Sequence, residues 1–236
     1  VEGRVVELQG DNLAVVRLGR MAYGPALDAQ RRAVERVRRG REDGRHVEYL
    51  LLVEHDPPVI TLGRSGKDEH LLATPERLAA LGIEYYESSR GGDVTYHGPG
   101  QLVAYPVLDL NRHGRDVHRY LRDVEQTVLG LLGGLGLDGR RDERYTGVWV
   151  GNDKVCAIGV AITRWVSYHG LALNVSTDLD YFGLIVPCGI RERGVTSLAR
   201  LLGRDVPLAE TADALVGEFV RVFGFDGATE LAPDDL

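Results

Sequence analysis

Hydrophobic positions along this chain recur at two periods, and the changes of period outline its elements. Residues 13–18 form an apolar run that reads as a strand. From 25 to 39, Leu27, Val34 and Val37 recur at helical spacing among many charges, which predicts an amphipathic helix with a strongly basic outer face. In 47–54 the apolar residues Leu50, Leu51, Leu52 and Val53 are adjacent, the mark of a strand covered on both faces. Asp56-Pro57-Pro58 breaks that run, and a short strand over 59–62 ends at Gly63. Thr74 as cap and Pro75 at the first helical position open a helix over 75–81 that Gly82 stops.

In 90–101, Gly91, Gly92, Gly98, Pro99 and Gly100 bracket a short β-type segment, and a strand follows over 102–108. So many glycines in so few residues mean that the backbone turns sharply or approaches something closely. The longest helix is predicted over 116–135, where Val117, Tyr120, Leu121, Val124, Val128, Leu131 and Leu132 share one face. Strand-like runs follow at 148–150, 154–163 and 167–175, then helices at 197–202 and 208–223. The acidic tail, 225–236, is expected to fray. Strands that cluster mid-chain with helices gathered at the end predict an α+β fold, a mixed or antiparallel sheet flanked by helices, in a single domain.

Composition narrows the class. A formal charge of −7 and a pI near 5.5 exclude nucleic acid as the main partner, because phosphate binding needs a basic face. Two cysteines are too few for a secreted disulfide framework, and both thiols are expected to be free in a reducing compartment. No run of ~18 apolar residues suggests a membrane span, and a cytoplasmic protein is the expectation. Of the 28 basic residues only Lys67 and Lys154 are lysines. Unlike arginine, a buried lysine can lose its proton. Lys67 lies in a polar loop and reads as exposed.

Cys188, between Pro187 and Gly189 at the end of an apolar run, is a thiol set on a turn. An unperturbed thiol is a poor nucleophile at neutral pH, so it needs a cationic or basic partner; Lys154, His97 and His169 are the candidates. Lys154 heads the apolar strand Val155-Cys156-Ala157-Ile158-Gly159-Val160, and period-two alternation puts Cys156 on its face. Cysteine inside an apolar strand is usually a small buried hydrophobe, however, and Cys188 is the better presented thiol. The Gly91 to Gln101 segment matches neither a Walker nor a Rossmann spacing. His169 and Asn174 on one strand evoke a Cys-His-Asn protease, but in an order that matches no thiol-protease signature. A metal site from His97, His169 and Cys188 lacks paired ligand spacing.

Taken together, Arg90-Gly91-Gly92-Asp93-Val94-Thr95-Tyr96-His97-Gly98-Pro99-Gly100-Gln101, Lys154-Val155 with Ala157-Ile158-Gly159, His169-Gly170-Leu171-Ala172-Leu173-Asn174 and Pro187-Cys188-Gly189 resemble the octanoyltransferases of lipoate biosynthesis. The resemblance runs from about Ala22 to Phe223 and departs at Cys156, where the family pattern has alanine. It implies a biotin/lipoate ligase-like fold, with Cys188 as acyl-accepting nucleophile and Lys154 as its partner. Arg90, Gly91, Gly92, Asp93, Val94, Thr95, Tyr96, His97, Ala157, Ile158, Gly159, Gly170, Leu171 and Ala172 would line the acyl pocket. The implied donor is octanoyl-acyl carrier protein. The implied acceptors are lipoyl domains of 2-oxoacid dehydrogenase acyltransferase subunits and the glycine cleavage H protein, with no cofactor or metal. Rival readings are an ATP-dependent lipoate-protein ligase, a lipoyl amidotransferase, and a non-catalytic acyl- or biotin-binding module. Because the expected partners are acidic, a local arginine face is also expected, either Arg31, Arg32, Arg36, Arg38 and Arg39 or Arg191, Arg193 and Arg200.

Overall fold

Strand β1 (Asn12–Met21) alternates its side chains between two cores, and the rest of the molecule is layered on that alternation. The computed structural model describes residues 10–186 and 193–236. Helix α1 (Tyr23–Glu42) follows β1, and strand β2 (Glu48–His55) returns beside it in parallel. Strands β3 (Val59–Leu62), β4 (Glu84–Glu87) and β5 (Val94–His97), with helix α2 (Pro75–Ala80) between the first two, build a separate small sheet in the order β4-β3-β5. Thr74 caps α2 by accepting the Arg77 N–H, with Pro75 in the first turn, as the sequence predicts.

The chain then enters the large sheet again with β6 (Gln101–Val107), crosses it as α3 (Val117–Gly134), and adds β7 (Gly139–Arg140), β8 (Val148–Val150), β9 (Asp153–Thr163) and β10 (Val166–Asn174). Helices α4 (Leu198–Leu202) and α5 (Leu208–Phe223) precede the last strand, β11 (Gly227–Leu231). The order of the eight-stranded sheet is β11-β1-β2-β6-β10-β9-β8-β7. Its first two pairings are parallel and the others antiparallel, so it is a mixed sheet.

Both faces of this sheet are covered, which is why β2 reads as an unbroken apolar run. Leu13, Val15, Leu50, Leu52, Leu102 and Ala104 pack with the buried faces of α3 and α5. Their strand neighbours Ala14, Val16, Leu51, Val53, Val103 and Tyr105 face Ala26, Ala29, Ala33 and Val37 of α1. Alanine on that helix face lets α1 lie close to the strands. Among the described residues no helix is long and apolar enough to cross a membrane.

Three expectations need correction. The longest described helix is α1, at 20 residues, and not α3, at 18, because α1 continues past the periodic stretch read over 25–39 to Glu42. The residues after Phe225 are not a frayed tail: β11 pairs in parallel with Asn12 to Val16, and the buried Leu236 joins the α1-side core. The sequence Gly227-Ala228-Thr229-Glu230-Leu231 is short and alternating, and its acidic neighbours hid it. In β9 the pairing with β8 shifts register between Val148 and Trp149, so strict alternation fails just where it was applied to Lys154 and Cys156. Cys156 enters the core beside its neighbour Val155, while Lys154 and Ala157 line a cavity.

Removing residues 226–236 should therefore lower the thermal midpoint by several degrees, since about 2–4 °C accompany each kcal/mol in a domain of this size, and should expose β1 as a sheet edge. A frayed tail would leave the midpoint unchanged in a calorimetric comparison.

Candidate functional site

Between the α1 face of the large sheet and the small sheet lies a cavity with about 530 Å³ of atom-free space, part of it open to solvent. Most residues that the sequence assigned to one pocket meet here. Arg90, Gly92, Asp93, Val94, Thr95 and His97 come from the glycine-rich segment and β5, and Lys154, Ala157, Ile158 and Gly159 from β9. Gly170, Leu171 and Ala172 come from β10, where Ala172, Leu171 and Gly170 pair with Ala157, Ile158 and Gly159. The two strand motifs are thus one ladder.

Tyr96 and Gly91 stand apart from that lining. Strand alternation turns Tyr96 away from His97 into the core under the small sheet, where its ring stacks on Tyr181 at 5.2 Å and meets Phe182 edge-on at 5.4 Å. Gly91 contributes backbone: its N–H donates to Val160 O at 2.8 Å, drawing the segment down onto β9. A Cβ on Gly159 would stand 2.8 Å from Gly91 O, and one on Gly170 only 2.2 Å from Ala104 O. Glycine at these two positions is a requirement of close backbone approach. Cys188, with Pro187, Gly189 and Arg191, lies outside the described residues.

Lys154 is buried, 6% exposed, in a strand that is otherwise apolar. Its Nζ sits 4.8 Å from the centre of the Trp149 ring, and the Arg193 guanidinium approaches the same ring at 4.8 Å. Arg193 also donates to Asp142 Oδ2 at 2.5 Å. The Asp142 carboxyl accepts the backbone N–H of Arg144 as well, and the two together hold it down at about 2. Lys154 N–H donates to Gly194 O and its carbonyl accepts Thr196 N–H, both at 3.0 Å. Val186 N–H, further up the chain, donates to His70 O at 2.8 Å. His70 in turn pairs with the Asp93 carboxylate of the cavity wall.

His97 and His169 line the cavity and a third buried histidine, His55, packs behind its wall against His97 and Tyr105; two of the three show their tautomers. His55 Nδ1 must donate to Met21 O at 3.1 Å, because a carbonyl only accepts; Nε2 then accepts the Tyr105 hydroxyl at 2.7 Å. His97 Nδ1 likewise donates to Gln101 Oε1 at 2.7 Å. Gln101 Nε2 donates to Asn174 Oδ1 at 2.9 Å, and Asn174 Nδ2 to Thr196 O at 3.0 Å. Asn174, which invited comparison with a protease, is thus a link between His97 and the strand pair of Lys154. Burial pushes His55 down to about 4 and His169 to about 3. It also drives His97 well below its ordinary value, with His55 and Arg90 adding to the effect. All three are neutral imidazoles at pH 7. Burial holds Tyr105 as a phenol.

Arg90 is buried too, and its guanidinium donates to Thr61 O at 2.6 Å, Thr61 Oγ1 and Gly91 O. It braces the glycine segment against β3. Burial pushes the Cys156 thiol up to about 12, so it stays protonated in the core. Lys67 is exposed and sits near Glu69. Of the two arginine groups, Arg31, Arg38 and Arg39 are paired with Asp28 and Glu35 of their own helix, and Arg193 is engaged by Asp142. Tyr23, Val103 and Tyr105 also line the cavity. Sequence reasoning missed them; the available signal was a tyrosine within each of two elements whose neighbours are apolar. Among the described residues no three His, Cys, Asp or Glu side chains converge to hold a metal ion.

The chain matches the family model described as the lipoyl protein ligase A/B catalytic domain over residues 23–220. It is 51% identical over 214 residues to an octanoyltransferase of Chloroflexus aggregans, covering 89% of this chain and 95% of that one. It is also 51% identical over 212 residues to an octanoyltransferase of Rubrobacter xylanophilus, covering 89% and 93%. Among solved structures, the bipartite lipoate protein ligase of Thermoplasma acidophilum superposes with a TM-score of 0.73 at 20% identity, over 95% of this chain and 89% of that one. Lipoate-protein ligase A bound with ATP superposes at 0.72 and 21%, over 96% and 91%. At those identities the likeness is one of fold.

Because the folded pKa values of His55 and His169 lie below the unfolded value of 6.5, the unfolded chain binds more protons between about pH 4 and 6.5. Their contribution is complete above 6.5 and is lost as the pH falls, with His55 alone worth about 3 kcal/mol. The urea midpoint should be clearly lower at pH 5 than at pH 7.5, and no NMR signal of His55, His97 or His169 should titrate between pH 5.5 and 8.

Proposed function

The chain belongs to the lipoyl protein ligase A/B catalytic-domain family and, within it, to the octanoyltransferases, and from that premise we propose that it moves an octanoyl group from a carrier-protein thioester to a lysine of a lipoyl domain through a thioester on Cys188. The observation that carries the reading is the convergence, around one cavity, of the three described motifs with the buried Lys154 in its wall. Support for Cys188 comes from its described neighbours in sequence, since Val186 is bonded to His70 and Gly194 and Thr196 to Lys154.

In the first half-reaction Lys154 takes the thiol proton, and the Cys188 thiolate attacks the thioester carbonyl. The carrier thiolate leaves and is protonated. Exchange of one thioester for another is nearly isoenergetic, so no ATP is needed. In the second half-reaction the neutral acceptor amine attacks the enzyme thioester, Cys188 leaves as thiolate, and Lys154 collects the amine proton. The amide lies downhill. Family membership at this level of identity, together with a nucleophilic cysteine that an adenylating ligase does not require, favours transfer over ATP-dependent ligation. Lipoyl domains of 2-oxoacid dehydrogenases and the glycine cleavage H protein are the acceptors we infer, and the cytoplasm is the compartment that free thiols suit.

With octanoyl carrier protein and a lipoyl domain, and without ATP, octanoyl should appear on the acceptor lysine by mass. Cys188→Ala should lower the rate roughly a thousand-fold or more, and Lys154→Arg, which keeps the charge but cannot release a proton, by about 10²–10⁴. Cys156→Ala should transfer at the wild-type rate. Full activity in Cys188→Ala, or a requirement for ATP, contradicts the reading.

A further inference from the structure

Lys154 reaches the cavity wall through an irregularity in its own strand. Val148 and Trp149 of β8 face Cys156 and Lys154 of β9, so β9 takes two steps where β8 takes one, and Val155 is the extra residue. A bulge of this kind re-aims the side chains beside it. Here it leaves Lys154 on the cavity and puts Val155 and Cys156 together in the core.

The lysine side chain lies against β8 and the residue before it. Its Nζ stands 4.8 Å from the centre of the Trp149 ring. Its stem runs past Gly147, where a Cβ would lie 3.4 Å from Lys154 Cε, 3.6 Å from Cδ and 2.7 Å from Cys156 O. Gly147 holds φ at 133°, a conformation that other residues rarely adopt, so bare glycine backbone forms this wall.

The group that fixes Gly147 comes from α3. Glu125 is 1% exposed, and its Oε1 accepts the Gly147 N–H at 3.2 Å while its Oε2 accepts Arg122 at 2.7 Å and Arg141 at 3.1 Å. A buried carboxylate is stable only when paired and hydrogen-bonded. Both arginines meet one oxygen, and the other is directed at a single backbone N–H beside the lysine stem. Glu125 is not among the residues that line the cavity, so any effect on the site passes through Gly147.

We propose that Glu125 is a positioning residue for Lys154: by fixing the Gly147 backbone behind the lysine stem, it holds the amine at the place in the cavity wall from which it exchanges a proton with Cys188. This rests on the octanoyltransferase reading.

The test compares Glu125→Gln with Glu125→Met. Both remove the charge that faces Arg122 and Arg141, but only glutamine keeps an acceptor for the Gly147 N–H; methionine is unbranched and of similar length without one. The readout is the single-turnover rate of octanoyl-enzyme formation from octanoyl carrier protein, expressed per folded molecule. Cys156, 0% exposed, counts the folded fraction, because iodoacetamide reaches it only when the core opens. Glu125→Met should slow octanoyl-enzyme formation roughly 10- to 100-fold, as a displacement of about 1 Å does, and Glu125→Gln by no more than about threefold. Gly147→Ala, which sets a methyl against Lys154 Cε with Glu125 intact, should slow it as Glu125→Met does. Alkylation of Cys188 should slow in parallel, since it follows the thiolate that Lys154 maintains; a merely structural role would leave it unchanged or faster. Equal rates in Glu125→Gln and Glu125→Met, or a wild-type rate per folded molecule in either Glu125→Met or Gly147→Ala, overturns the assignment while octanoyl-enzyme formation by wild type stands. Absence of any octanoyl-enzyme in wild type would instead remove the reading beneath it.

Discussion

Backbones in this protein approach one another so closely around the cavity that a methyl group has no room between them. A Cβ on Gly170 would reach Ala104 O at 2.2 Å, one on Gly159 would reach Gly91 O at 2.8 Å, and one on Gly63 would reach Gly92 O at 2.3 Å. The three contacts join β6 to β10, the glycine segment to β9, and the glycine segment to the end of β3. The first holds two strands of the large sheet together and the third seats the glycine segment on the small sheet, while the second brings that segment onto the large sheet, and residues of all these elements line the cavity. Arg90 reinforces the arrangement by spending its guanidinium on Thr61 and Gly91, groups of the same crossing. Packing at close to crystalline density transmits such strain instead of absorbing it.

Within that frame burial governs the chemistry. Desolvation leaves His55, His97 and His169 neutral, and the carbonyl partners of His55 and His97 decide which nitrogen carries the proton. The polar relay from His97 through Gln101 and Asn174 ends at Thr196, whose own N–H is bonded to Lys154 O. Position at Lys154 is therefore coupled to position across the cavity by hydrogen bonds between groups that have little freedom to move. Neutral imidazoles near a thioester do not compete for the proton that the proposed Cys188 and Lys154 pair must exchange. The α1 arginines, mostly matched by acids one turn away, contribute to a solvated helix face more than to a docking field.

Much of the fold was legible because its signals are local. The apolar runs of β2 and β6, the Thr74-Pro75 helix start and the amphipathic face of α3 each carry their periodicity within one element. The motif residues of the cavity were legible as a set, since glycine beside apolar strand residues signals close backbone approach. What escaped was non-local. The strand Gly227–Leu231 has meaning only beside β1, more than two hundred residues earlier, and looked like an acidic tail. Tyr96 fell on the far side of β5 because membership of a motif does not decide the parity of a strand. A register shift in β9 defeated the alternation that put Lys154 and Cys156 on one face. Tyr23 and Tyr105 are cavity residues only by virtue of which helix covers which sheet face.

The central claim is a covalent octanoyl-enzyme formed on one particular thiol without adenylation, and intact-mass spectrometry tests it most directly. After incubation with octanoyl carrier protein and no ATP, the account predicts a single octanoyl adduct, released by hydroxylamine, that peptide mapping assigns to the peptide containing Cys188 and that is absent from Cys188→Ala. An adduct on Cys156, or acyl transfer that proceeds with no enzyme-bound octanoyl at any time in a rapid-quench series, would contradict it.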